Sequence, residues 1–374
     1  MEEPLVTVLM PVRLDGSPIS FEYLSQSVSS ILKQTYRHFE FIIVDGSPDE
    51  NTSSVLALGA RDRRIQVIRE ERKASTYGFI TNALNQGCRI AQGKYIARMD
   101  SDDLSFPNRL QCQVRHLEEH PNIGVVGTWI GALREGGTSY STLRAPTNPD
   151  LISWSLIFGN PVNHPTVMMR RDAIMSVGCY RERGGVEDYD LWARMALVSA
   201  ISNLPKTLLI YRMIHTVHKT HRDSEAKQQS FEIRKSIVAR TLGFSPPESQ
   251  VHNLFNTFGG GRVGEAEGKK AVTLICNLHR AFERSHTSMS RVGKELVLRD
   301  AEAKAIYLVL MSTRNSISAS INVYTYARAL FPGISMLPRV ALTRERVYSF
   351  LDRPLRRWPT LLTKYAKGAK WKSG

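Results

Sequence analysis

The sequence predicts an α/β fold in its first 222 residues, a Rossmann-like, mostly parallel sheet flanked by helices, with a C-terminal helical extension after it. Three observations predict this. Short β-branched runs alternate with helical patterns through the first part. From about residue 223 the strand patterns fade and a 3.6-residue period takes over. Carboxylates gather where the strands end, the edge at which open parallel sheets bind ligands.

The elements follow in order. LVTVLMPV (5–12) reads as a buried strand ending near Pro11. Phe21, Leu24, Val28, Ile31 and Leu32 repeat at helical spacing, so FEYLSQSVSSILKQ is an amphipathic helix. FEFIIVD (39–45) is the second strand, closed by the turn-forming GSPD, and Ile65–Ile68 the third. Leu84, Cys88 and Ala91 share one face of a helix stopped at Gly93. YIARM (95–99) is a strand whose end delivers three carboxylates in four positions, Asp100, Asp102 and Asp103. A helix over 107–119 and a strand over 123–130 come next. EAKQQSFEIRKSIVART, EAEGKKAVTLICNLHRAFER and KELVLRDAEAKAIYLVLM are the helices of the extension, 223–374. No internal repeat is visible.

Composition narrows the function. Length and apolar content are those of a globular protein of one large domain or two ordinary ones. The four cysteines form no CxxC pair or zinc-like spacing, which fits a reducing, cytoplasmic setting. MEEPLVTVLMPV has neither the basic start nor the long apolar core of a signal peptide, and no apolar run reaches the roughly 20 residues of a spanning helix. The net charge of +15 is uneven. Residues 223–374 hold 25 basic and 12 acidic side chains, against 25 and 23 in the first 222. An anionic partner for the second part, lipid or nucleic acid, is the physical implication.

Two stretches carry the chemistry. A D-x-D at a strand end offers hard oxygen donors suited to Mg²⁺ or Mn²⁺ beside substrate phosphates. The competing reading is structural, with Asp103 or Ser105 capping the helix that starts at Pro107. EDYDLWARM (187–195) reads either as a site or as a helix start with acids at its positive end and Leu191, Trp192 and Met195 in the core.

TNALNQGCRIAQGKYIARMDSDDLSFPNRL resembles, almost position by position, the hallmark stretch of the family 2 inverting glycosyltransferases. VLMPVR, SILKQTYRHFEFIIVDGS, NHPTVMMRRDAI and EDYDLWARM resemble further parts of that family in the same order, so the likeness covers about residues 5–215. It implies an A-type glycosyltransferase fold, with residues 1–222 as the nucleotide-sugar-binding catalytic domain. It further implies a divalent cation, Mn²⁺ or Mg²⁺, a nucleoside-diphosphate sugar (a UDP-sugar favoured) and transfer to a glycan or lipid-linked acceptor.

On the matching positions, Asp102 becomes a metal ligand and Asp100 is shared between ribose and metal. Asp103 orients the loop or caps the helix. Asp188 becomes the catalytic base, and Glu187 positions acceptor or base. Pro11, Val12, Arg13, Arg98 and Ser101 line the nucleotide-sugar pocket. The family usually writes V-D-D-G-S where this chain has Val44-Asp45-Gly46-Ser47-Pro48-Asp49, one acid short, so the nucleobase contact falls to Asp45 or Asp49. His164 and Trp192 are expected on the acceptor side. His215 is a further candidate ligand, although one extra residue separates it from Arg212 relative to the family's Tyr-Arg-x-His.

The tail RPLRRWPTLLTKYAKGAKWKSG (353–374) has seven basic residues, no acid and two tryptophans. It suggests attachment to an anionic membrane surface, at the inner face of the plasma membrane, by charge and interfacial insertion. The alternative function is a basic nucleic-acid- or membrane-binding protein with a non-catalytic transferase-like domain. It leaves both acidic stretches unexplained, and nucleic acid is not the expected partner. Composition and pattern say nothing of the oligomeric state.

Overall fold

The computed structural model describes residues 3–48, 62–71, 78–134, 137–213, 219–259, 263–313 and 317–334, together with 51, 55, 57, 58 and 261. Two compact units emerge, Met1–Ser230 and Phe231–Gly374.

The first unit opens with β1 (Val6–Val12), every residue of it buried. Helix α1 (Pro18–Leu32) starts where Ser17 accepts a hydrogen bond from the Ser20 N–H at 3.2 Å, with Pro18 in the first turn. Its apolar face buries Leu24, Val28 and Ile31. There follow β2 (Phe39–Asp45), β3 (Ile65–Arg69), α2 (Gly78–Ile90), β4 (Tyr95–Arg98), the two-residue β5 (Leu104–Ser105) and α3 (Arg109–Glu119). The long strand β6 (Ile123–Arg134) turns into the exposed β7 (Tyr140–Leu143). Then come α4 (Pro149–Ser155), a single 3₁₀ turn at His164–Thr166, β8 (Met168–Arg170), α5 (Arg171–Ser176), α6 (Glu187–Met195) and β9 (Ala200–Met213).

Among the described residues, the strands form one nine-stranded sheet in the order β3-β2-β1-β4-β8-β6-β9-β5, with β7 on β6. The β3-β2-β1-β4 side is parallel. Beyond it the pairing is mixed: β8 is antiparallel to β4 and β6, while β6 and β9 run parallel. The parallel strands read as continuous apolar runs because both faces are covered. The sequence reading found β1 to β4 and β6 and missed β5, β7, β8 and β9. Strand β9 hid because Pro205 and Lys206 interrupt its pattern. Opposite β6 the register jumps there, from Thr128↔Leu204 to Trp129↔Thr207, so the two residues are absorbed as a bulge.

Residues 103–107 do not start a helix as expected. Leu104 and Ser105 pair with β9 instead. Helix α3 begins at Arg109 after Asn108, with no side-chain cap. The deep core runs from β1 and β2 through Tyr95, Ala97 and Met99 to Leu110 and Leu117 of α3.

Helix α7 (Lys219–Leu242) runs through the boundary expected at 222. In the second unit, α8 (Glu248–Phe258), α9 (Glu265–Ser285), α10 (Arg291–Thr313) and α11 (Ile317–Leu330) make a helical cluster. Helix α9 packs against α8, α10 and α11 and buries Ala271, Val272, Ile275, Leu278 and Phe282. No helix of the described residues is long and apolar enough to cross a membrane.

Candidate active site

Strand β4 pairs with β1 and β8 and is wholly buried, so the residues after Arg98 leave the sheet at the C-terminal end of its parallel side. There Asp100, Asp102 and Asp103 bring carboxylate oxygens within 4.8 Å of one another. Three cations hold the loop. The buried Arg98 forks onto Asp100, Nη1 to Oδ2 at 2.8 Å and Nη2 to Oδ1 at 2.5 Å. The Arg212 side chain donates to the Asp102 carbonyl at 2.5 Å, and its backbone N–H donates to Asp103 Oδ1 at 3.0 Å. Arg212 also donates to Gln26 Oε1 and lies 4.4 Å over the Tyr23 ring. Beneath the loop the fully buried Arg109 donates to the Arg98 carbonyl and to Gln113 Oε1.

The acids remain crowded in spite of this. Burial, reinforced by Asp100, pushes Asp102 up to about 6. Asp103, with no exposed surface, is driven well above the usual carboxylate range by burial and then by Asp100 and Asp102. Its Oδ2 has no hydrogen-bond partner. Three hard oxygen donors and an unpartnered carboxylate oxygen are the donor set a small divalent cation takes. The residues fit such an ion. Asp103 holds β9 rather than capping a helix, because its Oδ1 is spent on the Arg212 N–H. Ser101 sits half-buried between the acids.

The second acidic pair opens α6. Asp188 Oδ1 accepts from the Tyr189 N–H and Oδ2 from Asn160 Nδ2, both at 2.7 Å. Burial first, and Glu187 next, raise Asp188 to about 6. Glu187 is raised by burial, opposed by Arg98 and reinforced by Asp100. The two acidic stretches, far apart in sequence, therefore meet around Arg98. Asp190 in the same turn plays a structural part, gripped by Arg194 at 2.7 Å and Arg183 at 3.3 Å.

On the other side of β1, Pro11 and Val12 are buried and Arg13 is exposed. The Arg13 guanidinium lies 5.7 Å from the Phe79 ring. Phe79 covers the turn after β2 so closely that a Cβ on Gly46 would sit 2.2 Å from it. Asp45 was one of two acids, with Asp49, expected at the nucleobase. It is fully buried instead, Oδ1 taken by the Ser47 N–H and Oδ2 by Arg69, each at 2.8 Å. Its place is to hold the turn. Asp49 and His215 lie outside the described residues, as does the 353–374 tail.

His164 and Trp192, expected on the acceptor side, are also interior. Trp192 has no exposed surface, and the two rings meet edge to face at 5.9 Å. His164 Nε2 is 3.0 Å from the Tyr180 hydroxyl, and burial holds the imidazole well below its usual range, so it is neutral. The imidazole and indole form a floor behind Glu187 and Asp188. A large aromatic on the inner face of an amphipathic helix goes to the core, as Trp192 does.

Sequence reasoning missed Arg212, Asn160, Phe79 and Tyr211 as site residues. Tyr211 is raised to about 12, by burial and then by Asp100, Asp103 and Asp102. The likeness of Tyr211-Arg212 to the family's Tyr-Arg-x-His was the signal that could have flagged them, and it was used for His215.

The family model described as Glycosyl transferase family 2 matches residues 7–178. The O-antigen biosynthesis glycosyltransferase WbnJ of Escherichia coli is 32% identical over 246 residues, 64% of this chain and 91% of that one. The amylovoran biosynthesis glycosyltransferase AmsE of Erwinia amylovora is 30% identical over 193 residues, 51% of this chain and 71% of the other. Among solved structures, S. aureus TarS 1–349 in complex with UDP-GlcNAc superposes with a TM-score of 0.52 at 17% identity, covering 87% of this chain and 90% of TarS 1–349. That likeness is one of fold.

Proposed function

Since the chain belongs to glycosyl transferase family 2 and is a glycosyltransferase, we propose that it is a metal-dependent inverting enzyme. In this reading it moves a sugar from a nucleoside-diphosphate sugar, a UDP-sugar by preference, to a hydroxyl of a cell-surface glycan or lipid-linked acceptor. The observation that carries it is the meeting of the Asp100–Asp103 loop with the Glu187–Asp188 pair around Arg98. The named activities of WbnJ and AmsE, in O-antigen and amylovoran biosynthesis, support a glycan product.

Each residue has a role in this reading. Asp102 and Asp100 hold Mn²⁺ or Mg²⁺, with Asp103 beside them. When bound, the cation neutralises the charge that develops on the departing diphosphate. Arg98 and Arg212 keep the loop in place before any donor arrives. Pro11, Val12, Arg13 and Ser101 border the nucleotide, and Phe79 and Arg69 shape the turn next to it. Asp188 takes the proton from the acceptor hydroxyl as its oxygen attacks the anomeric carbon. A base near pH 6 is strong enough to accept it and is ionised at neutral pH. Glu187 and Asn160 orient that carboxylate. His164 and Trp192 support α6 from behind.

A panel of nucleotide sugars with and without Mn²⁺, scored for transfer and hydrolysis, tests the reading. Metal-dependent consumption of one donor is the expected result, and no metal-dependent donor binding would refute it. The proposed membrane attachment is tested separately. Deleting 353–374 should abolish binding to anionic vesicles while sparing transfer to a soluble acceptor, and unchanged vesicle binding would refute it.

A further inference from the structure

Two of the four cysteines meet at a place the transfer chemistry does not use. Cys88 lies on the inner face of α2 and has no exposed surface, whereas Cys179 is partly exposed in the segment between α5 and α6. The segment is fastened to α2 at two points. Asn85 Nδ2 donates to the Tyr180 carbonyl, and the Tyr180 N–H donates to Asn85 Oδ1, both at 2.9 Å. Asn85 and Cys88 are three residues apart and share a helix face. The clamp therefore holds the segment that carries Cys179 against the face of α2 that carries Cys88.

Cys179 has a backbone φ of 55°, and among the described non-glycine residues only this one has a positive φ. A left-handed cysteine carries strain, and such strain gathers where the fold needs a particular side-chain direction. Here the Cys179 thiol donates to Met175 Sδ of α5 at 3.4 Å. Three cations surround it: Arg89 on α2, Arg171 on α5 and Arg194 on α6, the last fixed by its bond to the Val177 carbonyl at 2.6 Å.

We propose that Cys88 and Cys179 are a redox-active dithiol, which a low-molecular-weight disulfide converts reversibly into an internal disulfide joining α2 to the segment ahead of α6. The hydrogen bond from Cys88, and then the nearby guanidinium groups, lower the Cys179 thiol to about 7 against the cost of burial, so much of it is thiolate at neutral pH. That thiolate attacks one sulfur of the reagent RSSR, forming a mixed disulfide and releasing RS⁻. The Cys88 thiol then loses its proton to RS⁻ and attacks the Cys179 sulfur, expelling the second RS⁻. The two cysteines are oxidised by two electrons, RSSR is reduced to two RSH, and both thiol protons end on the leaving thiols. Cys88 is inaccessible from solvent and serves only as the resolving thiol.

The test uses the full chain and oxidised glutathione at pH 7.5, followed by quenching, alkylation, and peptide mapping without reduction. The expected product is a Cys88–Cys179 linked peptide that dithiothreitol removes, with Cys112 and Cys276 alkylated as free thiols. Joining residues 91 apart should also raise the melting temperature of the oxidised protein by roughly 5–10 °C. Cys88→Ser should stop at a glutathione adduct on Cys179. Cys179→Ser should give no adduct on Cys88. A glutathione adduct that persists on Cys179 of the native protein, pairing of either cysteine with Cys112 or Cys276, or no reaction would each overturn the proposal. The mapping of the native chain stands whether or not the variants fold, and it does not depend on the transfer reaction.

Discussion

The Asp100–Asp103 loop and the Glu187–Asp188 pair are both acidic and both half-buried, yet their partners differ. Arginines brace the first: Arg98 forks onto the Asp100 carboxylate, Arg212 takes the Asp102 carbonyl with its side chain and Asp103 with its backbone N–H, and Arg109 holds the Arg98 carbonyl underneath. Neutral donors hold Asp188, one an asparagine amide and the other the backbone N–H that follows it. Fixed positive charge suits a loop that must keep its shape while charge comes and goes. Burial lifts Asp102 and Asp188 alike to about 6, so it is the partners and not basicity that differ between the two groups. In the proposed reading, carboxylates of one type, arriving at one edge, are divided between binding and proton transfer.

The largest effects should break the two halves separately. Asp188→Asn should lower turnover by about 10²–10⁴, the worth of a positioned base, measured with donor and acceptor saturating. Asp102→Asn should cut turnover by about 10²–10³ and weaken Mn²⁺ binding along with it, as read by calorimetry. Arg212→Met ranks next. It removes the clamp and leaves the carboxylates, so cation affinity should fall roughly 10–100-fold while a saturating cation restores most of the turnover. A variant that saturating Mn²⁺ cannot restore would show Arg212 doing more than hold the loop.

The pH profile sharpens the same contrast. Asp188 must be ionised to act, so kcat should fall about tenfold per pH unit below about 6 and level off above it. Stability should move the other way. The folded value of Asp188 is raised above 3.8, so its contribution is full below about 3.8 and is lost as pH rises through about 6. Asp188→Asn should therefore melt a few degrees above the parent at pH 7.5 and level with it at pH 4. Equal melting temperatures at pH 7.5 would mean that the buried anion costs nothing. The smallest effect on chemistry belongs to the floor. Trp192→Phe should leave the acid limb of the profile in place, while Trp192→Ala should cost about 3–5 kcal/mol of folding stability in a denaturant titration.

The parallel side of the sheet was legible in the sequence because β1, β2 and β4 are short, mostly apolar runs buried almost throughout. The mixed side was not. Strand β8 is three residues long, β5 is two, and β9 carries a proline and a lysine in a bulge, so none presents a clean period. The site shows the same division. Asp100, Asp102, Glu187 and Asp188 sit in dense motifs and could be named from the chain alone. Arg212, Asn160 and Phe79 act through distant partners, 110, 28 and 33 residues away, and no local pattern marks such pairs. Asp45 shows the opposite case: the pattern marks a strand-end acid, and only the structure shows it buried with Arg69 on it.

The division of labour between the two acidic groups is the central claim, and the binding of Mn²⁺ and UDP to Asp188→Asn tests it most directly. The claim predicts affinities within about twofold of the parent in calorimetry, alongside the loss of turnover already stated. Near-normal turnover in that variant, or a loss of Mn²⁺ and UDP binding as large as that in Asp102→Asn, would contradict it.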